Sequence, residues 1–214
     1  MQKRSSGADR KKADFVFGIP FFRYWKDPTE LRQIAEQKYK TWEDYPINDS
    51  PSGWDCSLRT EFNVAHENYY EEFYDDVMAE LAEDLGLDGH RCYIDESWLN
   101  YYTDPNHSQE EHDHLPGYFS AIHYIKINPE VHGGTIFTNP LAQMSSYMND
   151  GKDYKEYSGM NSETWTPEVI SGDILIFPSF LKHRVNHSKT TESRITLAFN
   201  INTIKGSSRR VFGR

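Results

Sequence analysis

The sequence predicts an α+β domain built on a β-sandwich or jelly roll. Helical patterns are confined to the first part of the chain, and strand patterns fill it from Cys92 onward. The strand-rich part is divided by glycine and proline turns, which is typical of sandwiches and jelly rolls. Aromatic residues make up 14% of the chain, which favours a core of large side chains packed between sheet layers.

The length of 214 residues favours a single domain with a substantial core. We expect a flexible, polar and basic tail over residues 1–12 and one domain over residues 13–214. Within that domain, residues 13–90 are predicted to be mostly helical support, and residues 91–206 are predicted to form the jelly-roll core.

The net charge, the lack of long apolar runs and the cysteine content indicate which partners and which compartment to expect. A formal net charge of -10 argues against general binding to nucleic acids or anionic membranes, although an acidic surface could attract a basic partner. No apolar run approaches the roughly 20 residues that span a membrane, and the N-terminus lacks the apolar core of a signal peptide. Two cysteines, Cys56 and Cys92, cannot form a disulfide framework, so we expect a reducing, cytoplasmic location.

The first predicted elements are a strand and a helix. Residues 15–20 have the composition of a strand. Asp27 as N-cap and Pro28 at the first helical position predict a helix that runs to about Trp42. A loop rich in proline, serine and aspartate follows over residues 45–54.

A second helix is predicted over residues 69–85, ended by Gly86. Apolar residues recur there at helical spacing while acidic residues occupy the other side, which indicates a solvated acidic face and an apolar face on the core. The apolar positions are Tyr69, Tyr70, Phe73, Tyr74, Val77, Met78, Leu81 and Leu85.

Six strands are predicted in the second half, over residues 91–103, 118–127, 134–138, 168–177, 181–186 and 193–204. A polar stretch over residues 141–166 is too long for a simple hairpin. We interpret this stretch as a candidate lid near a site.

A His-x-His pair is the strongest chemical signal in the sequence. If residues 112–114 form a strand, His112 and His114 point to one face and Asp113 to the other. His183, just after the apolar run 174–177, supplies a third imidazole. Three such ligands can hold one metal ion and leave coordination positions open.

An arginine near the C-terminus completes this constellation. Alternation in the strand around Arg194 places it on one face together with Thr196 and Ala198. An inward-facing arginine among apolar neighbours is costly unless an anion pairs with it. The guanidinium geometry suits a carboxylate, which it can bind through two parallel hydrogen bonds.

In three stretches the chain resembles the iron(II)- and 2-oxoglutarate-dependent dioxygenases, and within them it is similar to a subfamily with an H-x-H motif related to the prolyl hydroxylases. The stretches are 98–125, with His112-Asp113-His114; 133–140, Gly-Gly-Thr-Ile-Phe-Thr-Asn-Pro; and 172–200, with His183 and Arg194. The resemblance implies a double-stranded β-helix, a cupin-like variant of the jelly roll, supported by N-terminal helices.

The resemblance also implies roles for individual residues. His112, His114 and His183 would hold iron(II), and Arg194, assisted by Thr196, would bind the distal carboxylate of 2-oxoglutarate. Two further cofactor-binding residues are implied. Tyr124 falls where a tyrosine hydroxyl reaches the same carboxylate, and Tyr102 falls where another tyrosine approaches the co-substrate near the metal.

The ligand set departs from the usual two histidines and one carboxylate, because the position of the carboxylate holds His114. Alternation along a strand favours three histidines, whereas a bulge at the motif would turn Asp113 inward instead. Three neutral ligands would leave the iron site one unit more positive than the usual triad.

The implied reaction is hydroxylation of a substrate C–H bond with O2 and 2-oxoglutarate, releasing succinate and carbon dioxide, with ascorbate as a further candidate cofactor. A protein side chain, in particular a prolyl residue, is the leading substrate, and a small molecule is the other. Two alternatives stay open at this point. One is a three-histidine cupin dioxygenase that uses no 2-oxoglutarate, and the other is a non-catalytic jelly-roll module that binds a metal.

Overall fold

Two antiparallel sheets form the framework of the protein. They are seen in a computed structural model that describes residues 12–16, 18–42, 59–62, 68–142 and 162–206. Across these residues the predicted fold class is confirmed, because most of the structure is antiparallel sheet and the helices are few.

The larger sheet has seven strands, and labels follow chain order: β1 (Lys12–Val16), β2 (Ile19–Trp25), β3 (Arg59–Phe62), β4 (His90–Tyr102), β6 (Phe119–Lys126), β9 (Asp173–Pro178) and β11 (Arg194–Lys205). Their order in space is β1-β2-β9-β6-β11-β4-β3. The smaller sheet consists of β5 (Gln109–His112), β7 (Thr135–Thr138), β8 (Thr164–Trp165) and β10 (His183–Val185), in the order β5-β10-β7-β8.

The described helices are α1 (Thr29–Trp42), α2 (Asn68–Phe73) and α3 (Asp75–Asp84). The predicted start of α1 is confirmed, because the Asp27 carboxylate accepts hydrogen bonds from both the amide and the hydroxyl of Thr29. Two fully buried residues of α1, Leu31 and Ala35, belong to the main hydrophobic core. Since the Tyr101 hydroxyl donates to the Ala35 carbonyl at 2.9 Å, β4 is tied directly to this helix.

Hydrophobic side chains pack on both faces of the larger sheet. The main core includes residues of α1, α3 and the large sheet, such as Leu31, Leu81 and Leu197. The second core includes residues of both sheets, among them Tyr124 of β6 and Phe137 of β7. The second core therefore lies between the sheets, where residues of β6 and β11 face β5, β7 and β10.

Two predicted elements are each divided in the structure. The strand predicted over residues 15–20 is a hairpin, in which Gly18 turns with a positive φ of 72° between β1 and β2. The single helix predicted over residues 69–85 is broken at Tyr74, whose ψ of 1° is not helical. The Tyr74 side chain is fully buried and its hydroxyl meets His123, so packing against the sheet accompanies the interruption.

Three strands, β1, β2 and β3, accompany the helices in the described residues of the first part of the chain. The short strands β3, β5 and β8 were missed because two to four residues are too few to show a period. The strand predicted from residue 168 begins only at Asp173, after a turn at Gly172. The loop predicted over residues 45–54 and residues 143–161 of the candidate lid lie outside the described residues.

Within the described part of the chain, no helix is long and apolar enough to cross a membrane.

Candidate metal centre

Three histidines converge at one end of the space between the two sheets. One ring nitrogen from each of His112, His114 and His183 lies within 4.8 Å of the other two. The ring centroids are 5.0 Å apart for His112 and His114, 4.5 Å for His112 and His183, and 5.1 Å for His114 and His183. This triangle has the size that a single metal ion with three imidazole ligands requires.

Strand pairing brings two of these histidines together. His183 at the start of β10 is the register partner of His112 at the end of β5. Each ring is oriented by its own backbone, because Nδ1 of His112 lies 2.6 Å from the Glu110 carbonyl and Nδ1 of His183 lies 3.0 Å from the Leu181 carbonyl. Both Nδ1 atoms therefore act as donors, which directs the unprotonated Nε2 atoms into the cluster.

His114 reaches the cluster by a different route. Strand β5 ends at His112, so the prediction that strand alternation aligns His112 and His114 is wrong. Instead the His114 amide donates to the Ser179 carbonyl at 2.9 Å, which holds the loop after β5 against the end of β9. The Trp98 ring, with its centroid 5.2 Å from that of His114, packs against the imidazole.

Burial keeps these imidazoles neutral. It lowers the pKa of His112 below its ordinary value, lowers that of His114 to about 4 and lowers that of His183 well below 6.5. Repulsion between neighbouring rings adds to the effect for His114 and His183. At neutral pH their nitrogen lone pairs are therefore available to a metal ion.

The Asp113 carboxylate lies outside the cluster, which among the described residues contains only histidines. Its Oδ1 atom accepts a hydrogen bond from the Leu115 amide at 3.2 Å, as in an Asx turn. The structure therefore turns this carboxylate toward its own loop and away from the three imidazoles.

Arg194 lies in the same cleft as the histidines and is only 1% exposed. Its guanidinium carbon lies 4.6 Å from the Tyr102 ring centroid and 5.6 Å from that of Tyr124, so two aromatic rings flank the charge. Its Nη2 lies 3.4 Å from the Thr135 hydroxyl, while its buried Nε has no partner within the described residues. An unpaired buried N–H group of this kind suits an anionic ligand.

Tyr124 and Thr196 lie beside Arg194. Thr196 is 2% exposed and lines the cleft from the same strand, as alternation predicts. The Tyr124 hydroxyl donates to the Thr135 hydroxyl at 2.9 Å, and burial raises the pKa of this tyrosine. Tyr124 therefore remains a neutral phenol that acts here through Thr135.

Two residues of the cleft were missed by the sequence analysis as site residues. Thr135 belongs to the Gly-Gly-Thr stretch, where the glycines offered a signal for close packing. A Cβ atom on Gly134 would lie 2.9 Å from the Thr166 side chain, so this backbone is closely approached. Trp98 lines the cleft and contacts His114, and a single tryptophan inside a long strand carried no signal for this role.

Other aromatic and histidine residues take structural positions. Tyr101 is buried in the main core, Tyr118 is exposed, and Trp165 packs against Phe21 of the second core. His123 is fully buried against Tyr74, and His132 bridges its own loop and the Glu192 carbonyl.

Solved structures with a similar fold include three proteins of low sequence identity. A Pseudomonas putida prolyl-4-hydroxylase has a TM-score of 0.54 and 13% identity, covering 88% of this chain and 93% of the other. EctD from S. alaskensis with bound Fe has a TM-score of 0.60 and 16% identity, and the match covers 85% of this chain and 72% of EctD. HygX from Streptomyces hygroscopicus with nickel and 2-oxoglutarate bound has a TM-score of 0.51 and 12% identity, and the match covers 85% of this chain and 82% of HygX.

No curated protein matches the chain. A family model does match, and its description is "Putative 2OG-Fe(II) oxygenase". The match spans residues 96–200 and so contains the three clustered histidines and the buried arginine. The region that this model matches, residues 96–200, therefore belongs to the 2-oxoglutarate- and iron(II)-dependent oxygenases.

Proposed function

We propose that the protein hydroxylates a substrate C–H bond with O2 and 2-oxoglutarate at an iron(II) site formed by His112, His114 and His183, releasing succinate and carbon dioxide. The observation that carries this proposal is the presence of three converging neutral imidazoles and a buried arginine in one cleft. The family match supports the choice of iron and co-substrate over a dioxygenase that needs no 2-oxoglutarate and over a metal-binding module without activity.

The donor set fits iron(II). Imidazole nitrogens are ligands that iron accepts, and three of them leave positions open for small ligands. We propose the three-histidine set over one that includes Asp113, since the Asp113 carboxylate is bonded to the Leu115 amide. When bound, the metal supplies the oxygen chemistry that side chains lack, and the protein supplies position and shelter from water.

In this proposal, Arg194 receives the distal carboxylate of 2-oxoglutarate. The buried Nε without a partner would gain one, and the stacked Tyr102 ring holds the guanidinium in place. Thr135 would add a donor. Its oxygen already accepts from Tyr124 and from Arg194, so the proton of its own hydroxyl remains free to reach an acceptor in the cleft. Thr196, on the same face of β11, lies beside this anion.

We propose a protein prolyl residue as the first substrate to test. We also propose that the protein acts in the cytoplasm and that ascorbate serves as a reductant in the assays. The similarity of fold to a bacterial prolyl-4-hydroxylase supports this choice. A small-molecule substrate is the alternative, since neighbours of equal similarity include HygX, which was solved with hygromycin B bound.

The proposal is tested without knowing the substrate. Protein loaded anaerobically with iron(II) is titrated with 2-oxoglutarate while the visible metal-to-ligand charge-transfer band is recorded. We expect a saturable band in the wild type and a loss of saturation in Arg194→Ala, because the far carboxylate loses its buried partner. Arg194→Lys is the matched variant, and it should restore part of the affinity since the charge is kept and the two-pronged geometry is lost.

The absence of a band from protein shown to contain iron would contradict the proposal. It would then favour a three-histidine dioxygenase that binds its substrate directly. Tight zinc after purification, together with no consumption of O2 with any keto acid, would favour a non-catalytic module.

A further inference from the structure

Large hydrophobic side chains are exposed beside the metal centre. Leu115 is 63% exposed, Tyr118 52% and Phe180 47%, and each lies on a loop that carries or precedes a clustered histidine. We call these three side chains the apolar rim. The other exposed large hydrophobics among the described residues are Trp25, Leu141, Ile170 and Ile204.

The two loops of the apolar rim are bonded to each other. The His114 amide donates to the Ser179 carbonyl at 2.9 Å, and the Ser179 amide donates to the Tyr118 carbonyl at 3.3 Å. Close packing reinforces this link, because a Cβ atom on Gly117 would lie 2.9 Å from the Ser179 hydroxyl. The two loops of the rim are therefore held together by backbone bonds, and Leu115 directly follows the clustered His114 in the chain.

A buried hydrogen-bond chain supports this surface from below. The Ser179 and Ser120 hydroxyls lie 2.8 Å apart, Ser120 donates to Asn200 at 3.0 Å, and Asn200 donates to the Glu96 carboxylate at 3.1 Å. Side chains of β6 and β11 thus anchor the loop that presents Phe180. Such a network keeps the surface formed in the absence of a partner.

Three carboxylates, those of Asp95, Glu96 and Asp113, lie close to the backbone of the apolar rim. Asp95 accepts from Asn202 at 2.8 Å, and Asn202 in turn accepts from the Tyr118 amide. Glu96 is joined to the loop that presents Phe180 through Asn200, Ser120 and Ser179, and Asp113 lies in the same loop as Leu115, whereas the cation Lys182 lies two positions after Phe180.

We propose that the apolar rim is the docking surface for a basic polypeptide segment that presents an apolar side chain to the metal centre. This inference rests on the proposed function and specifies its substrate class. These nearby carboxylates complement lysine or arginine residues that flank the apolar side chain. A protruding, half-exposed apolar surface is typical of protein recognition, whereas small molecules are enclosed in concave pockets that bury most of their surface.

The probe for this surface is a short fluorescein-labelled peptide with a central Leu-Pro-Phe flanked by lysines. Its control is the same peptide with glutamates in place of the lysines. Binding is followed by fluorescence anisotropy with the full chain. We expect saturable binding of the lysine peptide that weakens as salt is raised, and no binding of the glutamate peptide, because the sign of the charge decides the attraction.

The variants Tyr118→Ser and Phe180→Ser should each weaken lysine-peptide binding about ten-fold, since each removes a central aromatic contact. Ile170→Ser is the matched control, because Ile170 is 40% exposed beside the turn at Gly172, whose amide bonds to Tyr124 and not to the Tyr118 end of β6, and this variant should bind like the wild type. Glu96→Gln together with Asp95→Asn should weaken binding of the lysine peptide and reduce the dependence of that binding on salt, because two carboxylates near the rim lose their charge.

Three results would overturn the inference: no binding of the lysine peptide, equal binding of both peptides, or unchanged binding in both rim variants. Competition by spermidine as strong as that by unlabelled peptide would indicate a small cationic substrate instead. Failure of the proposed function is recognised separately. The lysine peptide could bind as expected to a protein that shows no charge-transfer band with 2-oxoglutarate. That result would contradict the proposed hydroxylase function but would still support the docking surface.

Discussion

The Tyr124 hydroxyl donates a hydrogen bond to the Thr135 hydroxyl at 2.9 Å, joining a strand of the large sheet to a strand of the small one. Arg194 approaches the same oxygen, with its Nη2 at 3.4 Å. Thr135 therefore connects the arginine to the tyrosine that the family resemblance places at the carboxylate. Its role as a donor to the co-substrate is the first consequence to test.

Replacing Thr135 with valine should weaken 2-oxoglutarate binding about ten-fold, because a donor is lost and the Tyr124 hydroxyl is left without this acceptor in a buried site. Tyr124→Phe should have a smaller effect, since it removes only the group behind Thr135. The measurement is the charge-transfer titration of the iron(II) protein. Thr203→Val is the control on β11, away from the cleft. If Thr135→Val bound the co-substrate as tightly as this control did, Thr135 would have no role in the site.

Measuring the affinity of variants for a metal ion distinguishes the three-histidine ligand set from the set that includes Asp113. His114→Ala should weaken cobalt(II) binding by at least about ten-fold, because one of three coordinating imidazoles is removed. Asp113→Asn should bind cobalt(II) nearly as well as the wild type, since its carboxylate serves the Leu115 amide and the asparagine oxygen can replace it. Cobalt(II) is followed by visible absorption under matched protein concentrations. The opposite ranking of these variants would establish Asp113 as the ligand.

The buried His123 predicts a dependence of stability on pH. Burial lowers its pKa to about 3 in the folded protein, with a smaller contribution from the nearby charge of Lys26, against 6.5 in the unfolded chain. Between these values the unfolded chain binds more protons, so acidification through pH 6.5 toward 3 destabilises the fold by up to about 1.4 kcal/mol per pH unit from this group.

The test compares the wild type with His123→Gln by urea unfolding at pH 7 and pH 5 in the presence of a chelator. The chelator keeps the three metal-site histidines in the same metal-free state in both proteins. The stability advantage of the wild type over the variant should shrink at pH 5, because only the wild type has this depressed pKa. An advantage of equal size at both pH values would show that His123 does not titrate in this way.

Gly172 is expected to resist substitution. Its φ is 95°, and a Cβ atom there would lie 2.5 Å from the Lys26 carbonyl oxygen. Gly172→Ala should therefore lower the free energy of unfolding by about 3 kcal/mol, through backbone strain together with the clash. Gly89→Ala is the matched variant, since Gly89 also has a positive φ but no atom within 4 Å of its Cβ position. It should cost about 1 kcal/mol in urea unfolding, and equal costs would contradict the role assigned to the clash.

Several features could be predicted because they depend on neighbours in the chain. The Asp27 cap is a local contact with Thr29, and the long strands β4, β6 and β11 contain enough residues to show a strand pattern. The face shared by Arg194 and Thr196 follows from strand alternation alone, and both residues line the cleft.

Other features depend on contacts between segments that are far apart in the sequence. His114 lies beyond the end of β5, and its place in the cluster depends on the carbonyl of Ser179, which is 65 positions away in the numbering. The orientation of Asp113 depends on a turn within that same loop. The sequence alone therefore left the ligand set open between two arrangements that differ only in the path of the backbone.

The fold class, the His-x-His motif and the strand face that carries Arg194 could be predicted from local patterns, because periodicity and composition are visible over a few residues. The folded structure was needed to reveal the break at Tyr74, the hydrogen bond from Tyr124 to Thr135 and the exposed apolar rim. These features arise where two sheets or two loops come together. Contacts across such junctions leave no periodic signal in the chain, so only the folded arrangement of strands and loops defines them.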